Sequence, residues 1–214
     1  GADRIEFCWN LQVGGLTPDR WEIERLAETF PLPVHVLVRP RAGDFVYDAE
    51  EFACVLDEIR QCREAGAAGV VTGCLTTTGD PDVDRMRRVI DAADGLQVTF
   101  HRAFDLVPRP FEAMDRLAEI GVARILTSGG RGDVIQGAAT LRRWVEWADG
   151  RLEIMPGGGI RVENLSELHR AVGARSYHAS LQALPGSGAT DSASSEGVTD
   201  AERVRQAKEI LRRP

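Results

Sequence analysis

Short apolar runs, each followed by a longer stretch whose apolar residues recur at helical spacing, repeat along this chain and leave few folds open to it. The run 34–39 shows the form. Val34, Val36 and Val38 fall on one face and His35, Leu37 and Arg39 on the other, the pattern of a strand buried on both sides. Pro40 then ends it, because a central strand cannot lose an N–H. The same reading predicts seven strands, at 3–8, 34–39, 69–74, 96–102, 122–127, 152–155 and 175–179. Helices are expected between them. One is capped by Thr17 with Pro18 at its first position, one runs from Asp48 to Gly66, one starts at Asp80, and others cover 110–120, 137–147 and 162–172.

Strict β/α alternation with short loops predicts an all-parallel sheet, and this many units favour a TIM (β/α)8-type barrel over an open doubly wound sheet. The start, Gly1-Ala2-Asp3, reads as a helix end running into a strand, so the first strand and helix of such a barrel are expected to be absent. The expected organisation is a barrel domain over 1–184, a flexible Gly/Ser-rich linker over 185–198, and a C-terminal helix over 199–214.

At 214 residues the chain suits one large domain, and its formal charge of −7 without a basic run argues against nucleic acid or an anionic membrane as partner. There is no long apolar stretch and no signal-like start, which predicts a soluble, cytoplasmic protein. Cys8, Cys54, Cys62 and Cys74 are spread along the chain as reduced thiols would be, with Cys54 and Cys62 on one helix as small hydrophobes.

Parallel barrels present their reactive groups from the carboxyl ends of strands, and here those ends are polar. They carry Glu6 and Cys8, then Arg39 and Arg41, then Cys74, then His101, Arg102 and Asp105, then Thr127 and Ser128, then Gly157, Gly158 and Gly159. By alternation His35, Thr99, His101 and His178 share the lumen parity, while Val34, Val98 and Phe100 face helices. Two arginines at one strand end predict an anionic ligand group. The glycines before a helix start at 161–164 would let backbone N–H groups approach an oxyanion. The expected anion-binding set is Arg39, Arg41, Ser128, Gly157, Gly158 and Gly159, and the expected catalytic set is Glu6, Arg39, His101, Arg102 and Asp105. Cys8 and Cys74, near the mouth, are the thiols that could take a soft ion such as Cu(I).

Six blocks, in order, resemble the signatures of the CutC family, named for copper homeostasis. They are Ala2-Asp3-Arg4-Ile5-Glu6-Phe7-Cys8, Gly14-Gly15-Leu16-Thr17-Pro18, Arg39-Pro40-Arg41-Ala42-Gly43-Asp44-Phe45, Thr99-Phe100-His101-Arg102-Ala103-Phe104-Asp105, Leu126-Thr127-Ser128-Gly129 and Pro156-Gly157-Gly158-Gly159-Ile160. The resemblance implies a TIM barrel that is cytoplasmic, often oligomeric, and associated with copper through Cu(I) bound by cysteine. Cys8 matches the family cysteine. A second cysteine common in the family falls on the strand this chain lacks, Cys74 stands where the family often has an apolar residue, and Ala42 stands where it usually has glycine.

Two functions follow. One is a CutC-like copper homeostasis protein with Cys8 as a copper ligand. The other is a barrel enzyme acting on a small phosphate- or carboxylate-bearing substrate, with Arg39 and Arg102 as clamp and His101 or Glu6 moving a proton.

Overall fold

The computed structural model describes residues 1–183 and 198–212. Among them six strands, β1 (Ile5–Phe7), β2 (Val34–Leu37), β3 (Gly69–Thr72), β4 (Gln97–Phe100), β5 (Arg124–Thr127) and β6 (Glu153–Pro156), pair in chain order, every pair parallel. Parallel neighbours need a crossover, and helices supply it: α1 (Arg20–Thr29), α2 (Ala49–Glu64), α3 (Val83–Ala93), α4 (Pro110–Glu119), α5 (Val134–Ala148) and α6 (Val162–Val172). A last helix, α7 (Ala201–Leu211), follows. This is the (β/α)8-barrel plan.

The sheet curls until its borders face one another. Arg4, just before β1, places Nη2 3.2 Å from Met155 Sδ on β6 and 3.2 Å from Ser176 Oγ beyond it. Glu6 Oε2 lies 3.6 Å from His178 Nδ1. Outside this seam, α7 binds both sides, with Lys208 Nζ 2.6 Å from Asp3 Oδ1 and Arg203 Nη2 3.0 Å from Glu163 Oε1 on α6.

Strand parity divides the interior as the alternation requires. Val34, Val36, Val70, Val98, Phe100 and Ile125 belong to the outer core beneath the helices. A fully buried side chain such as Phe100 contributes about 2–3 kcal/mol there. Leu37, Val71, Leu126 and Met155 are equally buried but lie in the lumen, apart from that cluster. Two glycines make room for the lumen histidines. A Cβ on Gly69 would come 2.7 Å from His35 Cε1, and one on Gly73 2.8 Å from His101 Cε1.

Several boundaries differ from the sequence expectation. The run 175–179 forms one bridge, His178 to Gly157, rather than a seventh strand. Beyond it Leu181 takes φ 44°, and the chain pairs antiparallel with the lead into α7 through Ala183 N to Val198 O (2.8 Å) and Asp200 N to Leu181 O (2.9 Å). Thr17 does not cap α1, which starts after Asp19. Its hydroxyl instead donates to Glu58 Oε2 (2.7 Å) and accepts from Arg39 N (2.8 Å), tying α2 to the end of β2. Asp82, not Asp80, caps α3, since Asp80 is held by Arg109 at 2.6 Å. Asp133 caps α5, which begins at Val134. Asp48 caps α2 as expected, in a reciprocal arrangement with Glu51. Nearly all of the expected linker, residues 185–197, and the last two residues lie outside the described ones.

Candidate active site at the barrel mouth

The lumen floor is polar. Arg124 on β5 donates from Nε to Glu153 Oε2 (3.1 Å) and from Nη1 to Thr99 Oγ1 (3.3 Å). Burial, and then Arg124 and Arg4, press the His35 imidazole down to about 4, so it is neutral. Burial opposes ionisation of Glu153, but Ser176 and Arg124 hold its carboxyl below the usual range. Arg124 and Glu153 each carry a sequence signal absent from the expected site sets, a charge on lumen parity within an apolar run.

At the mouth the named residues fall into three groups. The first is built on Asp105, in the 3-10 turn Arg102–Leu106 that follows β4. Its Oδ1 accepts from Thr127 Oγ1 (2.5 Å), Ser128 N (2.9 Å) and Gly130 N (3.2 Å). Its Oδ2 accepts from Arg102 Nε (2.9 Å) and lies 2.9 Å from Ser128 Oγ. Arg102 Nη2 reaches Ser128 Oγ at 3.1 Å, and its guanidinium lies against Gly158, where an added Cβ would come 3.1 Å from Nη1. Gly158 has φ 110° and Gly159 φ 82°, conformations that favour glycine. A Cβ on Gly157 would strike Leu126 Cδ1 at 2.4 Å. Thr127 hydroxyl chemistry was not foreseen, because its acceptor lies 22 residues away.

The second group is Arg39, Phe45 and His101. Arg39 is buried and donates from Nη1 to Val13 O (2.8 Å) and Gly15 O (3.1 Å) and from Nη2 to Gly43 O (2.9 Å). Its Cζ lies 5.2 Å from the Phe45 ring centre, and the His101 ring lies 4.6 Å from the same centre. Burial holds His101 down to about 3, so the imidazole is neutral. The third group is Glu6 with His178 at the seam. Arg41 stands apart. It pairs with Glu51 and Asp44 and donates to the Val46 carbonyl, so its donors are committed to the β2–α2 loop.

Cys8 is half-buried on the lumen side after β1, with Cβ and Sγ 3.4 Å from where a Gly15 Cβ would be. Cys74 belongs to the outer core, where burial pushes its thiol up to about 12. Cys62 is buried there too, and Cys54 is exposed on α2. Among the described residues no three His, Cys, Asp or Glu side chains gather as metal ligands.

The CutC family profile matches residues 1–183. The chain belongs to the CutC family. The family protein CutC of Parabacteroides distasonis is 44% identical over 185 residues, covering 86% of this chain and 76% of the relative. A crystal structure from Streptococcus agalactiae, solved under the name copper homeostasis protein CutC, superposes with a TM-score of 0.80 at 33% identity and covers 82% of this chain and 87% of that one. The barrel of 3-keto-L-gulonate-6-phosphate decarboxylase from Vibrio cholerae superposes at 0.61 with 12% identity, covering 98% of this chain and 85% of that one, a likeness of fold alone. The family's matched span includes every site residue above. No helix among the described residues is long and apolar enough to cross a membrane.

Proposed function

We propose that the barrel mouth binds and acts on a small anionic ligand carrying a phosphate or carboxylate group. One observation carries this reading. Asp105 holds Arg102, whose guanidinium lies against Gly158, and Ser128, while Arg102 Nη1 and the amides of Gly158, Gly159 and Ile160 donate to no acceptor among the described residues. Oriented donors with unspent hydrogen bonds at strand ends are what an oxyanion needs. Arg102 is half-exposed, so it can meet a ligand, whereas the terminal nitrogens of Arg39 are occupied. Glu6 beside His178, or His101, is the group assigned to proton transfer. Calorimetric titration with inorganic phosphate and with succinate tests the site. An Arg102→Ala protein should lose at least about tenfold in affinity for whichever ligand binds the parent. Unchanged affinity removes Arg102 from the site and the reading with it.

Copper homeostasis is the second reading, supported by family membership and by the name of the S. agalactiae relative. The thiol of Cys8 on the lumen side of the mouth favours it as the soft ligand. Cu(I) at Cys8 would then draw a second ligand from a small thiol or another copy of the chain, in a cytoplasmic homo-oligomer. Competition of the protein and its Cys8→Ser variant against a Cu(I) chelator decides the point. Equal affinities exclude Cys8.

A further inference from the structure

His101 and Arg39 each hold a buried N–H that no acceptor among the described residues meets. They are 5% and 7% exposed. The Ala103 backbone N donates to His101 Nδ1 (3.3 Å), which puts the ring proton on Nε2, and Nε2 has no partner. Arg39 spends its Nη atoms on three carbonyls and leaves Nε without one. Both groups lie against the same Phe45 ring, and Gly73 keeps the space that the imidazole occupies. Buried polar groups are normally satisfied, so two orphaned donors at one ring call for an acceptor beyond the described residues. Among the described residues Arg39 meets carbonyls and no carboxylate, which favours an electron-rich oxygen over a cation or an apolar group. His101 is followed directly in the chain by Arg102, the residue assigned to the anionic group.

We propose that Arg39 Nε–H and His101 Nε2–H receive the carbonyl oxygen of the same ligand whose anionic group lies at Arg102 and Gly158. The ligand class is thereby a small oxo-acid or a phosphorylated ketone or aldehyde. This rests on the anion-site reading, and the test separates the two. Matched probes differ only by the carbonyl: pyruvate against propionate, and hydroxyacetone phosphate against n-propyl phosphate. In at least one pair the carbonyl member should bind the parent protein about tenfold tighter or more, since a site with unpaired donors discriminates strongly against an analogue that cannot accept. His101→Phe keeps an aromatic ring against Phe45 and removes both nitrogens. His101→Asn keeps an acceptor for Ala103 N and removes the Nε2 donor, so it covers a folding failure of the first variant. In either, the ratio within the pair should fall toward one. Equal affinities within both pairs in the parent mean that water serves these donors, which overturns the carbonyl assignment and leaves the anion site standing. No binding of any of the four probes overturns both.

Discussion

Two oxygens of Asp105 take donors from three places along the chain: Arg102 in its own turn, Thr127 at the end of β5, and Ser128 and Gly130 in the loop beyond. An amide in its place would turn an N–H toward one of these donors and leave a second donor unmet. Asp105→Asn should therefore cost about 2–3 kcal/mol and weaken phosphate binding about tenfold, read by urea unfolding and calorimetry. A variant with parental stability would refute the hub. At this scale the sequence made the residue types legible but not their partners. Arg102 and Asp105 could be named from their place after a strand, yet the acceptor of Thr127 lies 22 positions away. Arg41 looked as apt for an anion as Arg39, and its engagement by Glu51 depends on where α2 begins.

Helix α5 comes so close to the loop after β5 that glycine is required at 137. A Cβ there would sit 1.9 Å from the Ser128 carbonyl oxygen, part of the loop that Asp105 organises. Gly137→Ala should destabilise by about 2–3 kcal/mol despite alanine's better helix propensity, and should displace Ser128 enough to weaken anion binding. Gly150→Ala is the contrast. No atom lies near its added Cβ, so only its φ of 74° is penalised, by about 1–2 kcal/mol. Thermal melts of the pair check the difference, and equal losses would mean the approach at 137 relaxes freely. Strands and their parity were legible because period-2 runs with polar lumen positions leave little choice. Helix starts were less so, since Thr17 and Asp80 look like caps but are used for tertiary contacts. The run 175–179 has strand composition but makes one bridge, and just beyond it the chain pairs 182 antiparallel with 199.

Across the whole molecule two imidazoles are buried beside charged groups, and that makes stability depend on pH. His35 and His101 are held neutral in the folded chain, down to about 4 and about 3, whereas an unfolded histidine titrates near 6.5. Above that value they contribute no pH dependence. As pH falls below about 6.5 the unfolded chain takes up protons that the folded chain refuses, so stability drops by up to about 1.4 kcal/mol per pH unit for each histidine. Urea midpoints at pH 7, 6 and 5 should decline, and less steeply in His101→Asn. A flat profile between pH 6.5 and 5 would contradict buried neutral imidazoles. The fold's plan was visible at this scale from alternation alone, but which groups pair in the polar floor of Arg4, Arg124 and Glu153 was not, because they come from strands far apart in sequence.

The meeting of the sheet's two borders has a dynamic consequence. There the wall is completed by Arg4, Glu6 and their side-chain partners, with α7 strapped outside, whereas every interior junction has a backbone ladder. A join made by side chains can part without breaking main-chain bonds, so the barrel should breathe along this line first. Because β1 has a backbone ladder on one side only while β3 and β4 are paired on both, deuterium uptake at 5–7 should exceed that in β3 and β4.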